Sequence, residues 1–479
     1  MRRLEADVAI VGGGLAGLTA ARELEQLGIA TVVLEARERV GGRVLSRHVG
    51  DGVAIDQGGQ FVGPPREGPW LMDELCRAHG IERFRISERG DKLVLLGSRR
   101  KRYKGLAPSW PPHAAADLVR AKDALERLAR SFPAGEPWRA PNAARLDGQT
   151  YASWIERHVR TRQSRTLLRL ATETLYAAEP EELSLLHALA YVRSAGRGHL
   201  THLARVGRGH QQEQLRGGAQ SLPLALAAAL GERVQLNTPI HRIAVRGDVA
   251  TLIGPHAMVR CRRAIVALPP ALAARLELDP PLPGDRDRAR LAFVGGSVIT
   301  ASLVYAEPFW RAQGLSGYAA ATHGPVRGVL DVSPPPPARA GVLQAFIVAG
   351  SARMLARLSG NERRRAILGG LAELFGDAAR RPEHWFEKDW TADPWTRGCY
   401  HGIGAPRAWL AHGPLLREPT GPIHWAGSET AMWGLGTMEG AIDSGRRAAR
   451  EVAAALSDAR ARPVVALSRA SLPGAAGRA

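Results

Sequence analysis

Residues 7–17 read Asp-Val-Ala-Ile-Val-Gly-Gly-Gly-Leu-Ala-Gly. The apolar run before the glycines predicts a buried strand. Gly12, Gly14 and Gly17 fall in G-x-G-x-x-G spacing, with Leu15 and Ala16 between the last two. Glycine at these points lets backbone approach a pyrophosphate and lets a helix pack on the strand. The amides opening that helix favour the negative charge. From 16 to 27 the residues Leu18, Ala21, Leu24 and Leu27 recur at helical spacing, and Gly28 closes the helix. Thr31 to Leu34 predicts a second strand, followed by Glu35, whose carboxylate can accept from ribose hydroxyls. Strand, glycine turn, helix, strand and acid predict a βαβ unit that binds a dinucleotide. A turn without a ligand is the poorer reading, because three glycines in register cost stability.

The next residues carry the same theme. Ala36, Arg37 and the turn Gly41-Gly42-Arg43 set two arginines around a second glycine pair, which suits phosphates of a cofactor held permanently rather than exchanged. Asp56 to Pro64, with Gly58, Gly59 and Gln60, predicts a loop whose backbone passes close to something flat. Between about 112 and 196 the pattern is mostly helical, with Trp154, Ile155, Leu167, Leu168, Leu175 and Leu183 to Leu189 as core candidates. Short strands are expected at Val234–Leu236, Ile240–Val245, Val249–Ile253 and Ala264–Leu268, and longer ones at 296–305 and 342–349. A helix is expected over 361–375, opened by Asn361 as N-cap, and another from Met438 to Val452. Pro334 to Pro337 reads as a loop, and the last stretch, rich in Ala, Arg, Pro, Ser and Gly, as a frayed tail. There is no internal repeat. Nucleotide-type segments thus alternate with a helical insert and a long-strand insert, which predicts a cofactor domain in three pieces.

Composition bounds the rest. A chain of 479 residues is long enough for two domains. No run approaches the roughly 20 apolar residues of a membrane span; Leu222 to Leu230 is the longest candidate. The basic start, Met1-Arg2-Arg3, leads into strand and glycines rather than a cleavage site, so no signal peptide is expected. Cys76, Cys261 and Cys399 are odd in number and far apart, which points to a reducing, cytoplasmic setting without disulfides. The net charge is +19, but only five residues are lysine, and the arginines scatter except at Arg99-Arg100-Lys101-Arg102. That is a composition bias rather than a nucleic-acid footprint, since no basic stripe is interleaved with aromatics. His199, His202 and His210 lack a carboxylate or cysteine to complete a metal site, so no metal is expected.

With these strings the chain resembles the flavin amine oxidase superfamily, and more narrowly the monoamine oxidase family, over about residues 7–455. The string from Val32 to Arg43 is shared across that superfamily and implies FAD. Arg216-Gly217-Gly218-Ala219-Gln220-Ser221-Leu222 is similar to the family's second glycine turn, and Pro239-Ile240 to the place where backbone meets adenine. Gly296-Ser297-Val298-Ile299 with Tyr305 and Pro308-Phe309-Trp310 resembles the substrate-domain strand. Trp390 and Trp395-Thr396-Arg397-Gly398-Cys399-Tyr400 resemble the flavin-facing loop. Gly427-Ser428-Glu429-Thr430 and Met438-Glu439-Gly440-Ala441 resemble the C-terminal FAD motif. The resemblance implies a Rossmann-like α/β FAD-binding domain from 1–83, 215–290 and 393–457. It also implies an α+β substrate-binding domain with a mixed sheet from 84–214 and 291–392, and a tail from 458–479.

The resemblance also assigns roles. Cys399 stands where covalent members bond the flavin's 8α carbon; the alternative is an unlinked cysteine packed as a small hydrophobe. Tyr400 matches one aromatic of the cage leading to the flavin, while the second cage position falls on Thr437, with Trp433 nearby as a substitute. Thr300 stands where the family carries a lysine associated with oxygen reactivity, and no lysine is close to it in sequence. Leu175, Tyr176, Tyr191 and Gln211 align with substrate-cavity positions, with a core role as the competing reading for both tyrosines. The implied reaction is hydride transfer from a neutral amine to the flavin, giving an imine that hydrolyses, with oxygen or a redox protein as acceptor. An L-amino-acid oxidase, a carbon–carbon desaturase and a non-catalytic flavoprotein are the alternatives. The oligomeric state stays open, a homodimer among the options.

Overall fold

The computed structural model describes residues 1–50, 52–63, 70–105, 107–205, 207 and 209–461. Its architecture is α/β, built on two large sheets. The first is ordered Glu277–Asp279, Arg242–Arg246, Val249–Ile253, Ala257–Val266, Arg2–Val11, Thr31–Leu34, Val234–Gln235, with Ile423–Trp425 also pairing on Ala257–Val266. The central members run parallel: Val8 to Val11 pair with Thr31 to Leu34 on one side and with Arg263 to Val266 on the other. A strand flanked on both sides and covered on both faces must be apolar throughout, and Val8, Ala9 and Ile10 are fully buried.

The helix Leu15–Gln26 lies against this sheet and against the C-terminal helix Met438–Ala461, joining Leu18, Ala21 and Leu24 with Ile442, Ala449 and Val452 in one core. Leu27, expected to extend that apolar face, is exposed instead: the helix ends at Gln26, and Leu27 is its C-cap. The first strand begins at Arg2, earlier than the apolar run suggests, because Arg2 to Ala6 continue the ladder with Ala257 to Cys261. The last helix continues to Ala461, past Val452 and past the expected start of the tail at 458; positions 462–479, like Pro64 in the glycine loop, lie outside the described residues.

The second sheet is ordered His384–Asp389, Val298–Tyr305, Gly341–Val348, Gly328–Asp331, Leu315–Ala321, Asp91–Leu96, Arg99–Tyr103. All neighbours are antiparallel except Leu315–Ala321 with Asp91–Leu96. Arg99–Tyr103 is its edge, so the basic cluster is a charged edge strand, a device that discourages pairing with another chain. Gly360–Phe375 covers one face, capped by Ser359 rather than Asn361. Ser359 and Glu362 form a reciprocal capping box, which places the helix start one residue earlier than expected. The helices Pro112–Arg130, Tyr151–His158, Arg162–Tyr176 and Leu185–Ser194 enclose a separate core with Trp154, Ile155, Leu168, Leu186 and Leu189 inside. No described helix is long and apolar enough to cross a membrane.

Candidate active site

One cavity of about 810 Å³ runs from the first glycine turn to the second sheet. At its nucleotide end, Gly14 is the N-cap of Leu15–Gln26 and provides no side-chain cap; Gly14, Leu15 and Ala16 line the cavity. Unsatisfied amides at a helix start therefore face open space. A Cβ on Gly14 would meet nothing within 4 Å, whereas one on Gly17 would lie 2.0 Å from the Gly12 carbonyl. Gly12 and Gly14 thus shape the opening, and Gly17, outside it, sets the helix–strand contact. The buried Glu35 carboxylate accepts from the Gly13 amide (2.7 Å) and the Arg37 amide (2.9 Å) and still faces the cavity.

Ala36, Arg37, Gly42 and Arg43 also line it, as does Ile240. Both arginines, expected beside phosphates, are already paired with carboxylates. Arg37 donates to Asp393 (2.7 Å) and Thr396 (2.6 Å). Burial would raise the Asp393 carboxyl, but the Lys388 hydrogen bond and the Arg37 charge outweigh it and hold it below the usual range. Arg43 forms two hydrogen bonds to Glu429 (2.7 and 2.9 Å), and also donates to Ser428 and to the Tyr400 carbonyl. Burial alone would raise Glu429; the Arg43 guanidinium overrides it and brings the carboxyl down to about 2. This pair clips the Gly41-Gly42-Arg43 turn to the C-terminal motif, whose Gly427, Ser428 and Met438 line the cavity.

Gly58, Gly59 and Gln60 form a further stretch of wall. Behind it, the Gln57 carbonyl accepts from the Thr300 hydroxyl (2.9 Å) and the Trp390 indole (2.7 Å). Gly58 lies so close that a Cβ would be 2.9 Å from the Trp390 ring and 2.1 Å from the Arg43 carbonyl. Thr300 and Trp390 therefore brace this loop and do not line the cavity. Thr300 is not remote from lysine in space: Lys388 is its cross-strand partner, although its ammonium is held by Asp393.

Cys399 and Tyr400 line the next part of the wall, as does Thr437, which immediately precedes the C-terminal helix. Burial pushes the Cys399 thiol up to about 12, with Arg43 pulling the other way. Burial likewise raises the Tyr400 phenol well above its ordinary value. Thr437 donates to the Gly434 carbonyl (2.7 Å) and accepts from the Gly440 amide (3.2 Å). Leu175, Tyr191 and Gln211 complete this region, Gln211 donating to the Leu203 carbonyl (3.3 Å). His401 stacks on Tyr191 at 4.8 Å between ring centres, and burial lowers its pKa to about 4, so it is neutral.

A model of the flavin-containing amine oxidoreductases matches residues 15–453. The chain belongs to that family. A protein of Mycobacterium tuberculosis named as a flavin-containing monoamine oxidase is 38% identical over 450 residues, 94% of this chain and 97% of that one. An L-amino acid dehydrogenase of Synechocystis is 33% identical over 93% of this chain and 94% of its own length. A putrescine oxidase structure with putrescine bound superposes with a TM-score of 0.89 at 31% identity, covering 94% of this chain and 100% of the other. This member of the flavin-containing amine oxidoreductases is thus a flavin-dependent enzyme acting on amines.

The residues fit a flavin dinucleotide. The uncapped helix start, the open face of Gly14 and the inward-facing Glu35 supply donors for a diphosphate and an acceptor for a ribose. Besides Thr300 and Trp390, two further expectations for an amine oxidoreductase fail in the geometry. Tyr176 does not line the cavity: it is 2% exposed, donates to the Ala188 carbonyl (3.0 Å) and packs against Tyr191. Trp433 does not replace the missing cage aromatic either; it is 39% exposed, with the Arg197 guanidinium 4.0 Å above its ring. Conversely, Lys92, Tyr103, Arg205, Tyr318 and Phe346 line the cavity without having been singled out, and His210, considered only as a metal ligand, lines it too. Lys92, Tyr103, Tyr318 and Phe346 are on strands, where alternation does not tell a cavity face from a core face, and Arg205 follows the short helix Leu200–Ala204. Among the described residues, no group of three His, Cys, Asp or Glu side chains could hold a metal ion.

Proposed function

We propose that this enzyme oxidises an amine to an imine in the part of the cavity bounded by Tyr400, Tyr191, Leu175, Gln211 and Thr437, and that the imine then hydrolyses to a carbonyl compound. Bound FAD supplies the hydride acceptor. The protein's part is to position and to dehydrate. One observation carries the reading: among the described lining residues the only carboxylate is Glu35, at the nucleotide end, while Glu429 is consumed by Arg43. The amine-binding region therefore offers no carboxylate base and no counter-ion for an ammonium. An amine entering this apolar region is stabilised in its neutral form by desolvation, which leaves its lone pair free to form the C=N bond as the hydride departs. Tyr400 supplies an aromatic wall on one side. Thr437, small and hydrogen-bonded to its own turn, leaves the other side wide enough for a bulky amine.

Oxygen is a poor acceptor in this reading, and a redox protein is the better one. Thr300 takes the position of the family's lysine and spends its hydroxyl on the Gln57 carbonyl, and the neighbouring Lys388 is held by Asp393. In this reading Cys399, a buried thiol in the wall, links the FAD; its burial and its position in the cavity wall support it. Acid precipitation is expected to leave a yellow pellet, and a colourless pellet with yellow supernatant would refute that link. The three unpaired thiols suit the cytoplasm. The test of function is to incubate the purified protein with a panel of amines and measure carbonyl product with either oxygen or an artificial dye as acceptor. Product with dye far exceeding product with oxygen is expected; no product with either rejects amine oxidation.

A further inference from the structure

The wall of the cavity formed by the second sheet carries a polar group that the amine chemistry does not use. Tyr318, in Leu315–Ala321, is 4% exposed and lines the cavity, and its hydroxyl has no hydrogen-bond partner among the described residues. Buried hydroxyls are almost always paired, so a partner from a ligand accounts for this one better than chance does. Two cations line the cavity with it. The Lys92 ammonium lies 5.7 Å from the centre of the Tyr318 ring and donates to the neutral Gly105 carbonyl (3.1 Å); Arg205 lines the same cavity. The charges around them are Glu88, 3.9 Å from Arg205, and the ion pair Arg311–Asp331, which is closed on itself with Trp310. Among the described residues, two cations against one carboxylate leave one positive charge unbalanced, beside a phenol free to donate. An anion completes that set, and a second ammonium does not.

Position along the sheet sets the anion apart from the wall formed by Gly58. Thr300, against the loop that includes Gly58, is in Val298–Tyr305, and Tyr318 is three strands away in the order of the sheet. Three inter-strand steps amount to roughly 14 Å. We infer that Tyr318, Lys92 and Arg205 form an anion subsite, and that the amine substrate carries a carboxylate several methylenes away from its amino group. The inference rests on the amine-oxidising reading above. It separates the substrate from α-amino acids, whose carboxylate adjoins the reacting carbon, and from plain alkylamines.

Four six-carbon probes decide it on the flavin-loaded enzyme without oxygen: ε-aminocaproate, hexylamine, hexamethylenediamine and norleucine. Flavin bleaching by ε-aminocaproate is expected with a kcat/KM at least about tenfold above that of the other three, as a charge-assisted hydrogen bond would give. In Tyr318→Phe and in Lys92→Gln, the ratio of ε-aminocaproate to hexylamine should fall toward one. Caproate, which has no amine to oxidise, should perturb the flavin spectrum of the parent enzyme about tenfold more tightly than hexanol, and both substitutions should abolish that difference. Equal bleaching by ε-aminocaproate and hexylamine, or preference for the diamine through Glu88, overturns the anion subsite while leaving amine oxidation intact. Failure of every amine to bleach the flavin removes the amine reading instead, and the caproate titration then still reports on the subsite alone.

Discussion

The two ends of the cavity are built in opposite ways. At the nucleotide end, backbone does the work: helix amides without a cap, glycines without room for a Cβ, and a carboxylate held by two main-chain amides. At the amine end, the side chains of Leu175, Tyr191, Gln211, Tyr400 and Thr437 converge from separate segments. Backbone sites are demanding, since one methyl group can close them. Side-chain sites are tunable, and specificity resides there.

The sharpest way to break the comparison is Gly17→Ala. Its Cβ would lie 2.0 Å from the Gly12 carbonyl, so turn and helix must part. Flavin content measured from visible absorbance should fall at least about tenfold, consistent with overpacking costs of 1–3 kcal/mol or more. A yellow, stoichiometric variant would show that the turn is not demanding after all.

Glu429→Gln comes next. It strands the buried Arg43 charge, and removing one partner of such a pair costs about 3–5 kcal/mol. Thermal unfolding should show a clear loss, and Arg43→Met combined with Glu429→Leu should lose less than Glu429→Gln alone. If the double replacement is the worse of the two, the pair contributes more than mutual neutralisation.

A pair of tyrosines then separates wall from core. Tyr400→Leu should lower kcat/KM by about tenfold or more with little change in stability, because Tyr400 lines the cavity. Tyr176→Phe should lower stability by about 1 kcal/mol, through loss of its hydrogen bond to Ala188, and leave kcat/KM alone. An activity defect confined to Tyr176→Phe would return that residue to the substrate wall.

The smallest effect expected at neutral pH concerns Asp56. Burial raises its carboxyl from 3.8 to about 7, against hydrogen bonds from Ser46 and the Ala219 amide. The folded state therefore keeps a proton that the unfolded chain releases. Asp56 accordingly favours folding fully below about 3.8, and its contribution declines as pH rises toward about 7. Asp56→Asn should flatten the stability profile across that window, as followed by denaturant titration at several pH values. An unchanged slope would mean that Asp56 is ionised in the fold.

How much of this was readable in the chain follows the same division. The glycine turn was legible because its demands are local: Gly12 has φ +107°, and Gly17 has no space for a side chain. The capping box from Ser359 to Glu362 is equally local, but Asn361, two residues on, is as good an N-cap by residue type, and only the geometry separates them. Leu27 misled because helical periodicity runs one residue past the last helical turn. Nothing local could have shown Lys388 beside Thr300, or Lys92 near Tyr318. The first contact arises from antiparallel pairing of Val298–Tyr305 with His384–Asp389, and the second from parallel pairing of Asp91–Leu96 with Leu315–Ala321. Tyr176 and Tyr191 are both on helices and touch each other, yet only Tyr191 faces the cavity, a distinction set by packing rather than by spacing.

The most direct test of the central claim is anaerobic stopped-flow reduction of the flavin by a series of amines with different ionisation constants, followed across pH. A site without a carboxylate base predicts bleaching whose pH dependence follows each amine's own ionisation, shifting from one amine to the next. A single acidic ionisation common to every amine would reveal a base in the enzyme, and absence of bleaching throughout would contradict amine oxidation itself.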